Sequence, residues 1–196
     1  KIDHELIFLA NHDEHTPISL IGAKQVPILV LPSGQTMGES MDVVKYLDEH
    51  YGDDPMLAPA SGRQDLQQWI SDATQPFLQL THARFHRTPL AEFARIASRD
   101  YYRHKKEHHL GASFEELLAK TPELVAQANA LLERLDGLLQ TSTTVNATVS
   151  YDDMDIATRL RGITIVQGLQ WPPKVRAYLD HYAREGDVQC FDRCAN

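Results

Sequence analysis

The sequence predicts two parts of different fold class, an α/β layer over residues 1–52 and an all-helical domain over residues 63–196. Short strand-like and helix-like patterns alternate in the first part, as expected for an α/β layer. Residues 53–62, with the sequence DDPMLAPASG, contain two prolines and end on a glycine, which is typical of a linker. Beyond this linker, apolar residues recur at helical spacing almost throughout.

The α/β part is predicted to contain three strands and two helices. The run Val26–Leu31 is rich in β-branched and aliphatic residues and has the length of a strand. The predicted elements are a strand at Glu5–Leu9, a helix at Pro17–Ala23 ending near Gly22, a strand at Val26–Leu31, a turn at Pro32–Gln35, a strand at Thr36–Met37 and a helix from Ser40 that Gly52 closes.

The second part is predicted to be a set of helices with recognisable start signals. Thr121 is expected to be the N-cap of one helix, with Pro122 at its first helical position. The helices are predicted at about 63–85, 89–108 and 113–120, from 121 onward, and at about 150–167 and 172–185.

Composition excludes several classes of protein. The net charge of -8 argues against a nucleic-acid partner, because phosphate binding requires a clustered basic surface. No run approaches the roughly 18 apolar residues of a membrane span, so no membrane partner is expected. Two cysteines are too few for a disulfide-built secreted scaffold, and a reducing cytoplasm is the expected location.

The segment Lys24–Leu29 places a proline at the start of a strand. If the Val26–Pro27 bond is cis, the N–H and C=O groups of Val26 turn outward and can pair with an extended peptide. The alternative is a proline merely tolerated at the first residue of a strand.

Glu39 and Ser40 stand where the next helix begins. The first turn of a helix has free N–H groups and a partial positive charge, which suit a carboxylate. Glu39 could hold an ammonium group beside it, so that the two residues together would bind the α-amino acid end of a ligand. The alternative is that Ser40 simply caps the helix with its hydroxyl.

These motifs resemble those of the glutathione transferase superfamily. The sequence VPIL, followed by GES and the helix MDVVKYLDEHYG, is similar to the second half of a thioredoxin-like domain. Ser150-Tyr151-Asp152-Asp153 resembles the capping box of the helical domain. More specifically, the chain resembles the two-domain glutaredoxins of bacteria in Lys105-Lys106-Glu107, in Arg161–Thr164 and in Gly168–Pro172.

The resemblance implies a fold and a ligand. The fold would be a thioredoxin-like domain followed by an all-helical domain of the glutathione transferase type. Val26, before the cis-proline Pro27, would pair with the cysteinyl part of glutathione, and Glu39 and Ser40 would bind its γ-glutamyl end. The activity implied is glutathione-dependent reduction of protein or low-molecular-weight disulfides, in a protein expected to be a monomer when complete.

The family pattern also includes a strand, a Cys-x-x-Cys or single-cysteine turn and a helix ahead of Glu5–Leu9. We expect the thioredoxin-like domain to be truncated here and this chain alone to be inactive, so no catalytic residue is assigned. Two alternatives stay open: a glutathione transferase, or a non-catalytic interaction module that keeps the fold and recruits a partner strand.

Other candidate residues carry less weight. Cys190 and Cys194 lie in the tail, where a thiol pair without a following helix is more often incidental than catalytic. His82 and His86, and His104 and His108, have the four-residue spacing of helical metal ligands, but no third ligand is in register. We therefore expect solvent-facing histidines and no metal site.

Overall fold

The computed structural model describes residues 2–52 and 54–196. The chain divides into two compact units, one formed by Lys1–Leu57 and Pro89–Tyr101 and the other by Ala58–Thr88 and Tyr102–Asn196. We call them the first unit and the helical unit. Lys1 and Asp53, where the predicted first domain and the predicted linker begin, lie outside the described residues. The domain limits drawn from the sequence stay a prediction.

The described part of the first unit contains two whole helices, the start of a third and a small sheet. Its elements are α1 (His15–Ile21), β1 (Leu29–Val30), β2 (Thr36–Met37), α2 (Ser40–His50), a 3-10 turn at Ala91–Phe93 and the start of α4 (Ile96–Leu110). β1 and β2 are antiparallel, with Leu29 opposite Met37 and Val30 opposite Thr36. Gly22, at a φ of 74°, ends α1 in the left-handed conformation that glycine adopts without strain.

Two strand predictions need correction. Residues 5–9 form no strand in the described structure, and Leu6, Ile7 and Phe8 are 67%, 70% and 64% exposed. An apolar run becomes a strand only when a neighbouring strand pairs with it, and none of the described residues does so here. The second predicted strand, Val26–Leu31, shortens to Leu29–Val30. The strand cannot extend toward Val26 for two reasons. Pro27 has no N–H to donate to a neighbouring strand, and the partner strand β2 gives way to helix α2 within three residues.

The helical unit is built around the long helix α3. Its elements are α3 (Gln64–Phe85), the rest of α4, α5 (Phe114–Ala119), α6 (Thr121–Leu138), α7 (Tyr151–Ile163), α8 (Pro173–Glu185) and a 3-10 turn at Asp192–Cys194. α3 packs against α5, α6 and α7, and α8 packs against α6 and α7. Trp69 of α3 is fully buried and its indole N–H donates to the Leu131 carbonyl at 2.8 Å, which ties α3 to α6.

The predicted capping box of α7 is confirmed. Ser150 is the N-cap, and the Asp153 carboxylate accepts hydrogen bonds from the Ser150 N–H and hydroxyl, both at 2.8 Å. The same buried carboxylate accepts the Val145 N–H at 2.7 Å and the Tyr178 hydroxyl at 2.9 Å. A buried carboxylate with four donors is well satisfied, so this cap also fixes the loop before α7 and helix α8.

The predicted N-cap of α6 is wrong by one residue. Lys120 occupies the cap position and Thr121 is the first helical residue. The Thr121 hydroxyl instead accepts a hydrogen bond at 2.9 Å from Arg84, whose guanidinium is buried and also donates to the Leu80 carbonyl at 2.8 Å. The hydroxyl that the local sequence assigns to the cap of α6 is therefore used to bind a distant arginine.

Candidate functional site

The peptide bond between Val26 and Pro27 is cis. It lies in the loop between α1 and β1, and the Val26 side chain is 61% exposed. Within the described residues, neither the N–H nor the C=O of Val26 has a hydrogen-bond partner. These two groups therefore form a short open edge that can pair with an extended peptide backbone.

Glu39 and Ser40 stand at the N-terminus of α2, but Ser40 does not cap it. Glu39 is the N-cap residue and has no side-chain cap hydrogen bond, while Ser40 is the first helical residue. Both side chains are exposed and have no hydrogen-bond partner in the described part of the chain. The alternative of a purely structural Ser40 cap is therefore wrong, and the hydroxyl and the carboxylate are both available to a ligand.

The backbone of Glu39 is in an uncommon conformation, with a φ of 60° and a ψ of 110°. A positive φ is unfavourable for a residue with a Cβ atom, and such residues persist only where the surrounding structure holds them. Backbone strain of this kind clusters at ligand-binding sites. The conformation lets the chain leave β2, pass Gly38 and begin α2 within three residues.

The hairpin register brings the two pairs of residues to the same end of the sheet. The ladder ends at the pair Leu29 and Met37, so Val26, three residues before β1, and Ser40, three residues after β2, both lie beyond the same end of the hairpin. The packing around Gly38 agrees, because a Cβ atom added there would lie 4.0 Å from Cδ of Gln25. The open edge at Val26 and the start of α2 are therefore neighbours.

The start of α2 is suited to an anion. The first hydrogen bond of this helix runs from the Val43 N–H to the Glu39 carbonyl at 3.0 Å, so the N–H groups of Ser40, Met41 and Asp42 precede the ladder. Together with the positive end of the helix dipole they favour a carboxylate, whereas the Glu39 carboxylate beside them favours an ammonium group.

Sequence reasoning missed Lys24, two residues before Val26. Its ammonium group donates to the Asp13 carbonyl at 2.6 Å and lies 5.9 Å from the ring centroid of Tyr101. The contact joins positions 11 residues apart through a backbone oxygen. Because the acceptor is a backbone oxygen, no pattern of side chains in the sequence predicts this contact.

Cys190 and Cys194 do not share a helix. Cys190 precedes the 3-10 turn, and Cys194 is the last residue of that turn. Both thiols are free and partly exposed. Burial, followed by the charge of Asp192, raises the pKa of the Cys190 thiol, although Arg176 and Arg161 oppose this. A raised pKa disfavours the thiolate that thiol chemistry requires.

The prediction of solvent-facing histidines holds for one pair and fails for the other. His104 and His108 are exposed, but His82 is mostly buried and His86 is 8% exposed, with its ring 5.0 Å from that of Phe114. His82 lies on α3 and His86 directly follows this helix, and neither side chain is exposed. Among the described residues, no group of three or more histidine, cysteine or acidic side chains could hold a metal ion.

No helix in the described part of the chain combines the length and apolar character needed to cross a membrane.

Comparison with solved structures identifies the fold of the chain. The structure of glutathione transferase GSTFuA3 from Phanerochaete chrysosporium superposes with a TM-score of 0.71 at 18% identity, covering 93% of this chain and 83% of that one. This likeness shows that the chain shares the fold of that glutathione transferase.

Closer relatives define the family. The profile of the glutaredoxin 2 C-terminal domain matches residues 65–195. Glutaredoxin 2 of Escherichia coli K12 is 34% identical over 197 residues, covering 100% of this chain and 89% of that protein. The crystal structure of glutaredoxin 2 from Salmonella typhimurium in complex with glutathione superposes with a TM-score of 0.90 at 34% identity, covering 96% of this chain and 85% of that one. The chain belongs to the glutaredoxin 2 family, as the sequence motifs indicated.

Proposed function

We propose that this chain serves glutathione-dependent thiol–disulfide exchange and binds glutathione through Val26, Pro27, Glu39 and Ser40. The observation that carries the proposal is the open main-chain edge of Val26, which lies at the end of the hairpin where Glu39 and Ser40 stand without partners. Membership of the glutaredoxin 2 family supports the reaction, and the glutathione complex of the Salmonella relative supports the ligand.

The cysteinyl and γ-glutamyl parts of glutathione each match a feature of this site. The cysteinyl backbone would pair with the N–H and C=O of Val26 as a one-residue strand. The α-carboxylate of the γ-glutamyl end would accept hydrogen bonds from the Ser40 hydroxyl and the first N–H groups of α2. Its α-ammonium group would lie against the Glu39 carboxylate. These residues lie within 1–52, the proposed glutathione-binding domain.

The reaction of this class needs a thiolate that the four binding residues do not supply. A protein thiolate attacks the glutathionyl sulfur of a mixed disulfide, releases the substrate thiolate and becomes glutathionylated; a second glutathione thiolate then attacks it and leaves as glutathione disulfide. We assign neither Cys190 nor Cys194 to this role. We therefore propose that these 196 residues bind glutathione but, assayed by themselves, do not reduce disulfides.

The proposal extends to setting and partners. Exchange of this type requires a reducing glutathione pool, which is the condition of the cytoplasm. The substrates would be protein or low-molecular-weight disulfides, handled by a monomer.

Calorimetric titration of the chain with reduced glutathione tests the site. Glu39→Gln removes the charge while keeping the size of the side chain, and a hydrogen bond to a charged group contributes about 1.5–3 kcal/mol, so the affinity should fall about 10- to 100-fold. Ser40→Ala removes one donor to the charged α-carboxylate and leaves the N–H groups of α2 in place, so the affinity should fall about 10-fold, the lower end of the same range.

Matched controls lie on the same unit. Glu49→Gln changes an exposed carboxylate at the other end of α2, and Ser33→Ala changes an exposed hydroxyl in the hairpin turn. Both should bind glutathione like the parent chain. Unchanged affinity in Glu39→Gln and Ser40→Ala would refute the site assignment, and no binding by the parent chain at millimolar glutathione would refute the proposed function.

A further inference from the structure

The loop that carries Val26 is held by contacts some distance from the ligand site. Gly22 ends α1, and the Gln25 N–H then donates to the Ala23 carbonyl at 3.0 Å, which closes a three-residue turn with Lys24 at its centre. Val26 is the second residue beyond the centre of this turn. The orientation of its N–H and C=O groups therefore depends on how firmly Lys24 is held.

Lys24 is fixed by its side chain to a second turn. Its ammonium group donates to the Asp13 carbonyl at 2.6 Å, a short charge-assisted hydrogen bond in a partly buried position. The Asp13 carboxylate in turn accepts the Thr16 N–H at 3.0 Å and the Thr16 hydroxyl at 2.7 Å. These bonds, the backbone one foremost, lower the pKa of Asp13, so the carboxylate stays charged.

The turn around Asp13 is itself anchored within the first unit. The Asp13 N–H donates to the Ala10 carbonyl at 2.8 Å and the Asn11 N–H to the Glu92 carbonyl at 3.0 Å. His12 is hydrogen-bonded at 2.8 Å to the hydroxyl of Ser98, which is fully buried.

Tyr101 closes this set of contacts from α4. Its hydroxyl donates to the Glu14 carboxylate, and its ring lies 5.9 Å from the Lys24 ammonium. A cation at this distance from an aromatic ring is attracted to its face. Lys24 therefore contacts both the Asp13 turn and the start of α4.

We propose that Lys24 is a positioning residue for glutathione binding: its ammonium group, bound to the Asp13 carbonyl, holds the turn that presents the open edge of Val26. The inference rests on the proposed function, and Lys24 itself needs no contact with glutathione. A backbone edge that is already ordered binds an extended peptide more tightly, because less conformational entropy is lost when the ligand binds.

The test combines a measure of backbone order with a measure of affinity. Lys24→Met keeps the length of the side chain and removes every donor, whereas Lys24→Arg keeps a charged donor. Backbone ¹⁵N relaxation of the full chain without ligand should show the order parameter of Val26 falling from about 0.85 to below about 0.6 in Lys24→Met. Glutathione affinity should fall about 10-fold, and Lys24→Arg should restore both values for the most part.

Lys45→Met is the matched control, since Lys45 is an exposed lysine of α2 whose nearest partner is Glu49 at 3.9 Å. It should leave the order parameter of Val26 and the affinity unchanged. An order parameter of Val26 that is unaltered in Lys24→Met would overturn the inference whether or not glutathione binds. A mobile Val26 with unaltered affinity would overturn it as well. Failure of the parent chain to bind glutathione would refute the proposed function instead, and the order parameters would still decide whether Lys24 holds the edge.

Discussion

The two units bury apolar side chains to very different extents. Among the described residues, Pro17 and Phe93 are the buried apolar side chains of the first unit, whereas the other buried hydrophobic residues belong to the helical unit. The large exposed hydrophobic residues show the reverse distribution. Val188 belongs to the helical unit, and the rest belong to the first unit: Ile2, Leu6, Ile7, Phe8, Ile18, Leu20, Val26, Val30, Met41, Tyr51, Met56 and Ile96.

The comparison indicates that different forces hold the two units. Burial of apolar area, the largest favourable term in folding, stabilises the helical unit. The first unit relies on specific polar contacts such as those of Lys24, Asp13 and Tyr101. Substitutions should therefore act differently in each: side-chain volume should matter most in the helical unit and hydrogen-bond donors in the first unit.

The largest expected effect comes from Trp69. Trp69→Ala should lower the free energy of unfolding by about 3–5 kcal/mol, because it empties a fully buried site and removes the donor to the Leu131 carbonyl. Phe8→Ala, at a side chain that is 64% exposed, should change the same quantity by less than about 0.5 kcal/mol. Urea unfolding followed by far-ultraviolet circular dichroism measures both. Similar losses in the two variants would show that Phe8 is covered in solution.

A smaller effect should appear on acidification. Loss of hydration, aided by the charges of Lys106 and His109, lowers the pKa of His82 to about 4, from an ordinary value of 6.5. Between about pH 6.5 and pH 4, His82 is protonated in the unfolded chain but not in the folded chain. The free energy of unfolding therefore decreases as the pH falls through this range. The loss is at most about 3 kcal/mol.

His82→Gln isolates this contribution, because the glutamine amide can both donate to and accept from the Tyr102 hydroxyl, which lies 2.9 Å from Nδ1 of His82. The parent chain should lose more stability than the variant between pH 7 and pH 4.5, as measured by urea unfolding at each pH. Parallel pH profiles for the two proteins would mean that His82 is hydrated in solution.

The smallest expected effect is the difference in stability between alanine variants of two serines at helix starts, Ser113 and Ser40. The Ser113 hydroxyl accepts the Glu116 N–H at 3.2 Å and forms a capping box, whereas the Ser40 hydroxyl caps nothing. Ser113→Ala should cost about 1 kcal/mol of stability, and Ser40→Ala should cost almost none. Thermal unfolding of the two variants compares them, and an equal loss would show that Ser40 caps α2 in solution.

Local signals predicted most of the helices, whereas the glutathione site stays a prediction. The Ser150–Asp153 capping box, the start of α2 at Ser40 and the end of α1 at Gly22 depend on neighbours within a few residues, which sequence patterns capture. The motifs around Val26 and Ser40 also led to the right family.

Contacts between distant residues explain the failures. Leu6–Phe8 has the composition of a strand, but a strand requires a partner that local composition does not describe. Thr121 has the right neighbours for an N-cap, yet Arg84 takes its hydroxyl from 37 residues away. His82 is polar but lies on the packed face of α3, and Lys24 binds a backbone oxygen. Such cases are decided by tertiary structure.

The burial of Trp69 has a practical consequence for spectroscopy. The chain contains two tryptophans, Trp69 and Trp171, and both belong to the helical unit. Tryptophan fluorescence will therefore report the melting of the helices and will be almost blind to rearrangement of the loop at Val26. A chain with native emission can still have lost the structure of the proposed glutathione site, so optical evidence of folding needs a separate probe placed near Glu39.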